Sequence, residues 1–92
     1  MGRRKSPLTL ELACLLFELL KLRGSMPTPK ICREVNERYK DGRKAVDYNK
    51  VYRVLTMLYK EGIVERRGRD GMIFWSLRDD KLSKDDVLKM LY

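Results

Sequence analysis

DYNKVYRVLTMLYKEGIVERRGRDGMIFWSL, residues 47–77, is the stretch that decides how the chain folds. Val51, Val54, Leu55 and Leu58 recur at helical spacing and line one apolar face. Tyr48, Asn49, Lys50, Arg53, Thr56 and Lys60 cover the other face. Asp47 stands where a carboxylate accepts a free amide of the first turn. Gly62 stands where the chain leaves a helix in the left-handed conformation. Ile63-Val64 then starts a strand, and Gly68-Arg69-Asp70-Gly71 turns, with Asp70-Gly71 a hairpin dipeptide. Met72 to Leu77 returns as a strand rich in aromatic and branched residues.

Upstream, residues 8–23 read as a helix, with Ser6 as cap, Pro7 in the first turn and Gly24 at the end. Its apolar residues wrap most of the circumference, more than a helix covering one side of a small core needs. A second copy of the chain is the natural cover for that surplus. Leu12, Leu15, Leu16 and Leu19, with Leu88 and Leu91 near the C-terminus, are therefore expected at a homodimer interface. Gly24 to Pro27 reads as a loop. Thr28 caps a second helix with Pro29 at its first position, and Ile31, Cys32, Val35 and Tyr39 share its apolar face. Asp41-Gly42 ends that helix, and residues 40–46 make a connection in which Arg43 and Lys44 can reach phosphates. Downstream, Ser83-Lys84-Asp85-Asp86 has the form of a capping box, with Leu82 and Val87 placed as a hydrophobic staple. A short apolar helix over 83–92 follows, which at a chain end needs a docking partner. The expected class is α+β, mainly helical, in the order α-α-α-β-β-α: a basic N-terminal arm over residues 1–7, then one domain over 8–92.

The chain has 92 residues, 43% hydrophobic and 37% charged, which is the balance of a single soluble globular domain. No apolar run reaches the ~18 residues of a membrane span, and no cleavage-type signal follows the basic start, so a cytoplasmic, nucleoid-associated location is expected. Net charge is +8. The surplus sits on Arg3, Arg4 and Lys5 and on the 43–70 stretch, while the first and last helices are neutral. That is the distribution a nucleic-acid surface wants, although a solvated basic face has the same composition. Cys14 and Cys32 lack metal-ligand spacing and the chain has no histidine, so no metal and no cofactor is expected. The two thiols are either buried or paired in a disulfide. No nucleophile with a base, paired carboxylates or phosphate-binding glycine loop appears, so an enzyme is not expected.

A third helix running into a hairpin resembles the winged helix-turn-helix superfamily of DNA-binding domains, over about residues 8–77. The local signature VYRVLTMLYKEGIVERR is similar to the recognition helix of PadR-type regulators and of Fur-type regulators, with Tyr52 and Gly62 at the matching positions. Small archaeal, viral and plasmid-encoded winged-helix dimers show an equal resemblance. Fur-type metal binding works through histidines and does not carry over. The resemblance implies a recognition helix over 47–61 in the major groove, with Tyr48, Asn49, Lys50, Arg53 and Thr56 toward the bases. Tyr52 either touches a phosphate or packs under the wing. Arg66, Arg67 and Arg69 belong to the wing. Arg67 and Arg69 share one strand face and are the first choices for backbone or minor-groove contact. One of Phe74 and Trp75 faces the core. The function expected is a dimeric transcriptional regulator, a repressor, binding double-stranded DNA. A DNA-coating partition or chromatin-like protein and a protein-binding module are the alternatives.

Overall fold

The computed structural model describes residues 7–38 and 46–91. Residues 1–6 of the expected arm, Tyr39, Arg43, Lys44 and the Asp41-Gly42 helix end lie outside them, and Pro7 belongs to the first helix. Four helices and a three-stranded antiparallel sheet make a small, mostly helical α+β fold: α1 (Pro7–Arg23), β1 (Met26–Pro27), α2 (Thr28–Arg38), α3 (Tyr48–Lys60), β2 (Val64–Arg69), β3 (Met72–Leu77) and α4 (Lys84–Leu91). Residues 24–27, expected as a loop, contain the extra strand. Met26 and Pro27 pair with Trp75 and Phe74, which puts β3 in the middle of the sheet. A strand this short has no periodicity to read; only its partner defines it.

The hairpin is regular. Val64 pairs with Leu77 and the register runs unbroken to Arg69 opposite Met72. Asp70 and Gly71 both take positive φ, 52° and 78°, as the two central residues of a tight hairpin turn require. Gly68 and Arg69, expected in the turn, therefore belong to the strand. Unbroken pairing also fixes the faces. Val64, Ile73, Trp75 and Leu77 turn toward the helices, and Glu65, Arg67, Arg69, Met72, Phe74 and Ser76 turn away.

Helix α1 is the axis of the core. Leu12, Ala13, Leu16, Phe17, Leu19 and Leu20 are buried by contacts with α2, α3, α4 and β3. This corrects four of the six residues expected at a dimer interface: Leu12, Leu16, Leu19 and Leu91 are all packed inside this chain's own core. Most of the apolar surplus of α1 is covered by neighbours on several sides, which hydropathy alone cannot distinguish from a second copy, while Leu8 and Leu22 stay exposed. Leu15 and Leu88 remain half-buried at the surface.

Beneath the hairpin, Trp75 is 0% exposed and its indole N–H donates to the Thr28 hydroxyl at 2.7 Å. That hydroxyl in turn donates to the Ile73 carbonyl at 3.3 Å. Thr28, expected to cap α2, thus forms the first residue of the helix and spends its side chain on the sheet. Asp47 does precede α3 in extended conformation, but its carboxylate makes no capping bond. The other end of α3 follows expectation. Gly62 at φ 79° donates to Tyr59 and Ile63 to Leu58, the paired bonds of a Schellman closure.

The capping box of α4 is formed reciprocally. The Ser83 amide donates to Asp86 Oδ2 at 3.0 Å and the Asp86 amide to Ser83 Oγ at 3.2 Å. Lys21 Nζ ties the preceding loop to α1 by donating to the Leu82 carbonyl at 2.9 Å. Backbone and side-chain bonds from Ser83 hold the Asp86 carboxyl below its usual range. A depressed pKa stabilises the fold above the ordinary aspartate range, and the contribution is lost as pH falls through the lowered value.

Three outcomes are expected in denaturant melts. Ser83→Ala should cost about 1 kcal/mol, and Asp86→Asn, which removes the titrating carboxylate, should flatten the acid limb of the stability–pH curve. Thr28→Val leaves a buried indole N–H unpartnered and should cost roughly 1–3 kcal/mol, with Thr28→Ser close to the parent.

Candidate nucleic-acid interface

Helix α3 buries Val51, Val54, Leu55 and Leu58, so the helical repeat carries Asn49, Arg53, Thr56 and Lys60 to the side facing away from the core. These four stand at i, i+4, i+7 and i+11, one above another. Arg53 and Lys60 are exposed, and Thr56 is half-exposed with its hydroxyl donating to the Tyr52 carbonyl at 2.9 Å. A shallow depression on this side is lined by Tyr52, Arg53, Thr56, Met57, Lys60 and Glu61. Lys60, which reads as one more polar residue in the sequence, is a member of the stripe. The signal was its seven-residue offset from Arg53.

The structure divides the remaining candidates. Tyr48 is exposed on the flank of the stripe. The Lys50 ammonium donates to Thr9 Oγ1 at 3.0 Å, so it leans over the start of α1 and away from the stripe. Tyr52 packs edge-on against Trp75, ring centres 5.9 Å apart and planes at 82°, and also lines the depression beside Arg53. Arg66 stacks over the Tyr59 ring at 4.7 Å and braces the hairpin against α3. It is thereby separated from Arg67 and Arg69, which line a cleft with Ser25, Phe74 and Ser76 on the far side of the sheet. Arg43 and Lys44 are outside the described residues.

The entry into α3 is held by a device with no sequence signature. The Asn36 side chain grips the backbone of Val46 at both ends. Its Nδ2 donates to the Val46 carbonyl at 3.1 Å, and its Oδ1 accepts from the Val46 amide. An amide side chain can imitate a strand neighbour in this way because it carries a donor and an acceptor side by side. Cys32 lies against the same clamp, its thiol 3.9 Å from the Val46 carbonyl. Burial is the main cause of its raised pKa, with the Asp47 charge adding to it. Burial likewise raises Cys14, and both cysteines are free. Neither has the character of a reactive thiolate at neutral pH.

The exposed groups of this surface are mainly hydrogen-bond donors. Guanidinium and ammonium groups donate, and Asn49 both donates and accepts. Among the described residues no three side chains of metal-ligating type stand together, and no helix is long and apolar enough to cross a membrane. Asn36→Ala is expected to speed hydrogen exchange at Val46 and in the first turn of α3 while the α1 amides stay protected; uniform acceleration would place the effect on global stability instead. No protein-family model and no curated protein matches this sequence.

Proposed function

We propose that this chain is a winged helix-turn-helix protein that binds double-stranded DNA and acts, as a homodimer, as a transcriptional repressor. The observation that carries the reading is the stripe Asn49, Arg53, Thr56 and Lys60 on α3. It is polar along its whole length, it is left over from the core, and its helix leads directly into a hairpin with Arg67 and Arg69 exposed. A major groove is wide enough for such a helix. Arg and Asn each reach base edges with two hydrogen bonds, to guanine and adenine respectively. The hairpin arginines supply backbone contact beside it.

The second copy has a candidate seat between α1 and α4. Leu10, Cys14, Leu15 and Leu88 floor a groove there, and Glu11, Glu18, Arg38 and Lys84 rim it. Glu18 and Lys84 already pair across that rim at 3.6 Å, so the twofold contact rests on the apolar floor. This moves the proposed interface from the buried leucines of α1 to Leu15 and Leu88. Two such subunits read a palindromic or pseudo-palindromic site with half-sites ~34 Å apart or a multiple of it.

Selection of bound duplexes from a random pool, followed by a footprint, tests the reading; a protected region that spreads without boundary would indicate coating instead. On the selected site Arg53→Ala should cost about 1–3 kcal/mol and relax base preference, and Arg69→Ala should weaken all duplexes alike. Affinity should fall linearly with salt on logarithmic axes. Parent-like duplex binding by both variants overturns the surface. Light scattering should show a dimer at micromolar concentration that Leu15→Glu with Leu88→Glu converts to a folded monomer; a monomeric parent removes the dimer.

A further inference from the structure

We infer that the sheet face left uncovered among the described residues is a second nucleic-acid site, one that takes an unpaired, single-stranded segment by stacking a base on Phe74. The face is defined by register. Across the three strands Arg67, Phe74 and Pro27 stand side by side, with Phe74 on the central strand. Toward the hairpin tip the next row is Arg69 beside Met72, the latter 40% exposed. Toward the base it is Glu65 beside Ser76. The opposite face of the same strands carries Met26, Val64 and Trp75 into the core. A half-buried aromatic ring therefore lies at the centre of an open sheet surface, in a cleft with Ser25, Arg67, Arg69 and Ser76.

The chemistry selects the occupant. Two guanidinium groups on one side of an aromatic ring fit a phosphate backbone running past a stacked base, the pattern by which single strands are held without sequence preference. A duplex cannot use the ring, because its bases already cover one another and present only edges in the grooves. An unpaired base has a free π-face. Glu65 shares the face and restricts the cationic half to the side nearer the tip, so the site holds a short stretch, one or two nucleotides, and not a long track. An acidic peptide would satisfy the arginines but leave Phe74 uncovered by anything planar. This site needs no part of the α3 stripe but shares Arg67 and Arg69 with the proposed duplex contact, so Phe74 and Arg53, which belong to one site each, tell the two apart.

The test uses the whole chain and three labelled probes at low salt: a dT15 oligonucleotide, an abasic strand of the same length, and a poly-glutamate peptide. The expected result is that dT15 binds, that the abasic strand and the peptide bind at least about fivefold more weakly, and that Phe74→Leu and Arg67→Ala each reduce dT15 affinity about tenfold. Phe74→Tyr, which keeps a stacking ring, should retain it. Arg53→Ala should leave dT15 binding unaltered while weakening the duplex, and Phe74→Leu should leave the duplex unaltered. Thermal melts confirm that each variant is folded. The inference is overturned if dT15 fails to bind, if the abasic strand or the peptide binds as well as dT15, or if Phe74→Leu binds dT15 like the parent. It is also overturned if Phe74→Leu lowers the oligomeric state, which would make this face a contact between copies.

Discussion

The bond from the Trp75 indole to the Thr28 hydroxyl is the constraint on which the rest of the structure depends. It joins the first residue of α2 to the middle strand of the sheet, across 47 residues of sequence, inside the core. A buried indole N–H without a partner is expensive, so Trp75 can occupy the core only if something polar meets it there. Thr28 meets it, and its second bond to the Ile73 carbonyl stitches the same hydroxyl to the strand backbone. Met26 and Pro27, just before Thr28, are thereby drawn alongside β3. The tryptophan also gives Tyr52 a surface to lean on edge-first. One donor–acceptor pair thus places α2, β1, the hairpin and the side of α3 relative to one another.

Much of this was legible in the residues, for reasons that differ from element to element. Helix α3 and the hairpin carry strong local signals: a clean apolar stripe, a glycine at the helix exit and an aspartate-glycine turn. Their backbone conformations follow from those signals. The capping box of α4 was legible because both partners lie within four residues of each other. What local reading could not reach was set by distant partners. Strand β1 exists only because β3 lies beside it. The roles of Thr28 and Asn36 are defined by groups 47 and 10 residues away.

The expectation that Leu12, Leu16, Leu19 and Leu91 face a second copy has the same origin. Hydropathy showed that α1 had apolar surface on nearly every side, and a second copy was one way to cover it. In the structure, three helices and a strand of the same chain cover most of it. The candidate site divided along a similar line. Parity along a regular strand separated Arg67 and Arg69 from Arg66, as an alternating backbone must. That Lys50 turns to Thr9 and Arg66 to Tyr59 depended on what stood nearby.

The closure at Gly62 has a mechanical consequence. Leu58 and Tyr59 of α3 accept from Ile63 and Gly62, and Ile63 in turn accepts from Arg78 where the hairpin returns. Helix and hairpin share a common root, with no free linker between them. Strand β2 is six residues long, so its tip stands about 20 Å from that root. A rotation of roughly 5° at the root carries the tip through about 1.7 Å, more than half the length of an ordinary hydrogen bond. Small changes in the seating of α3 are therefore converted into lost or gained contacts at Arg69, and the two ends of this lever cannot be adjusted independently.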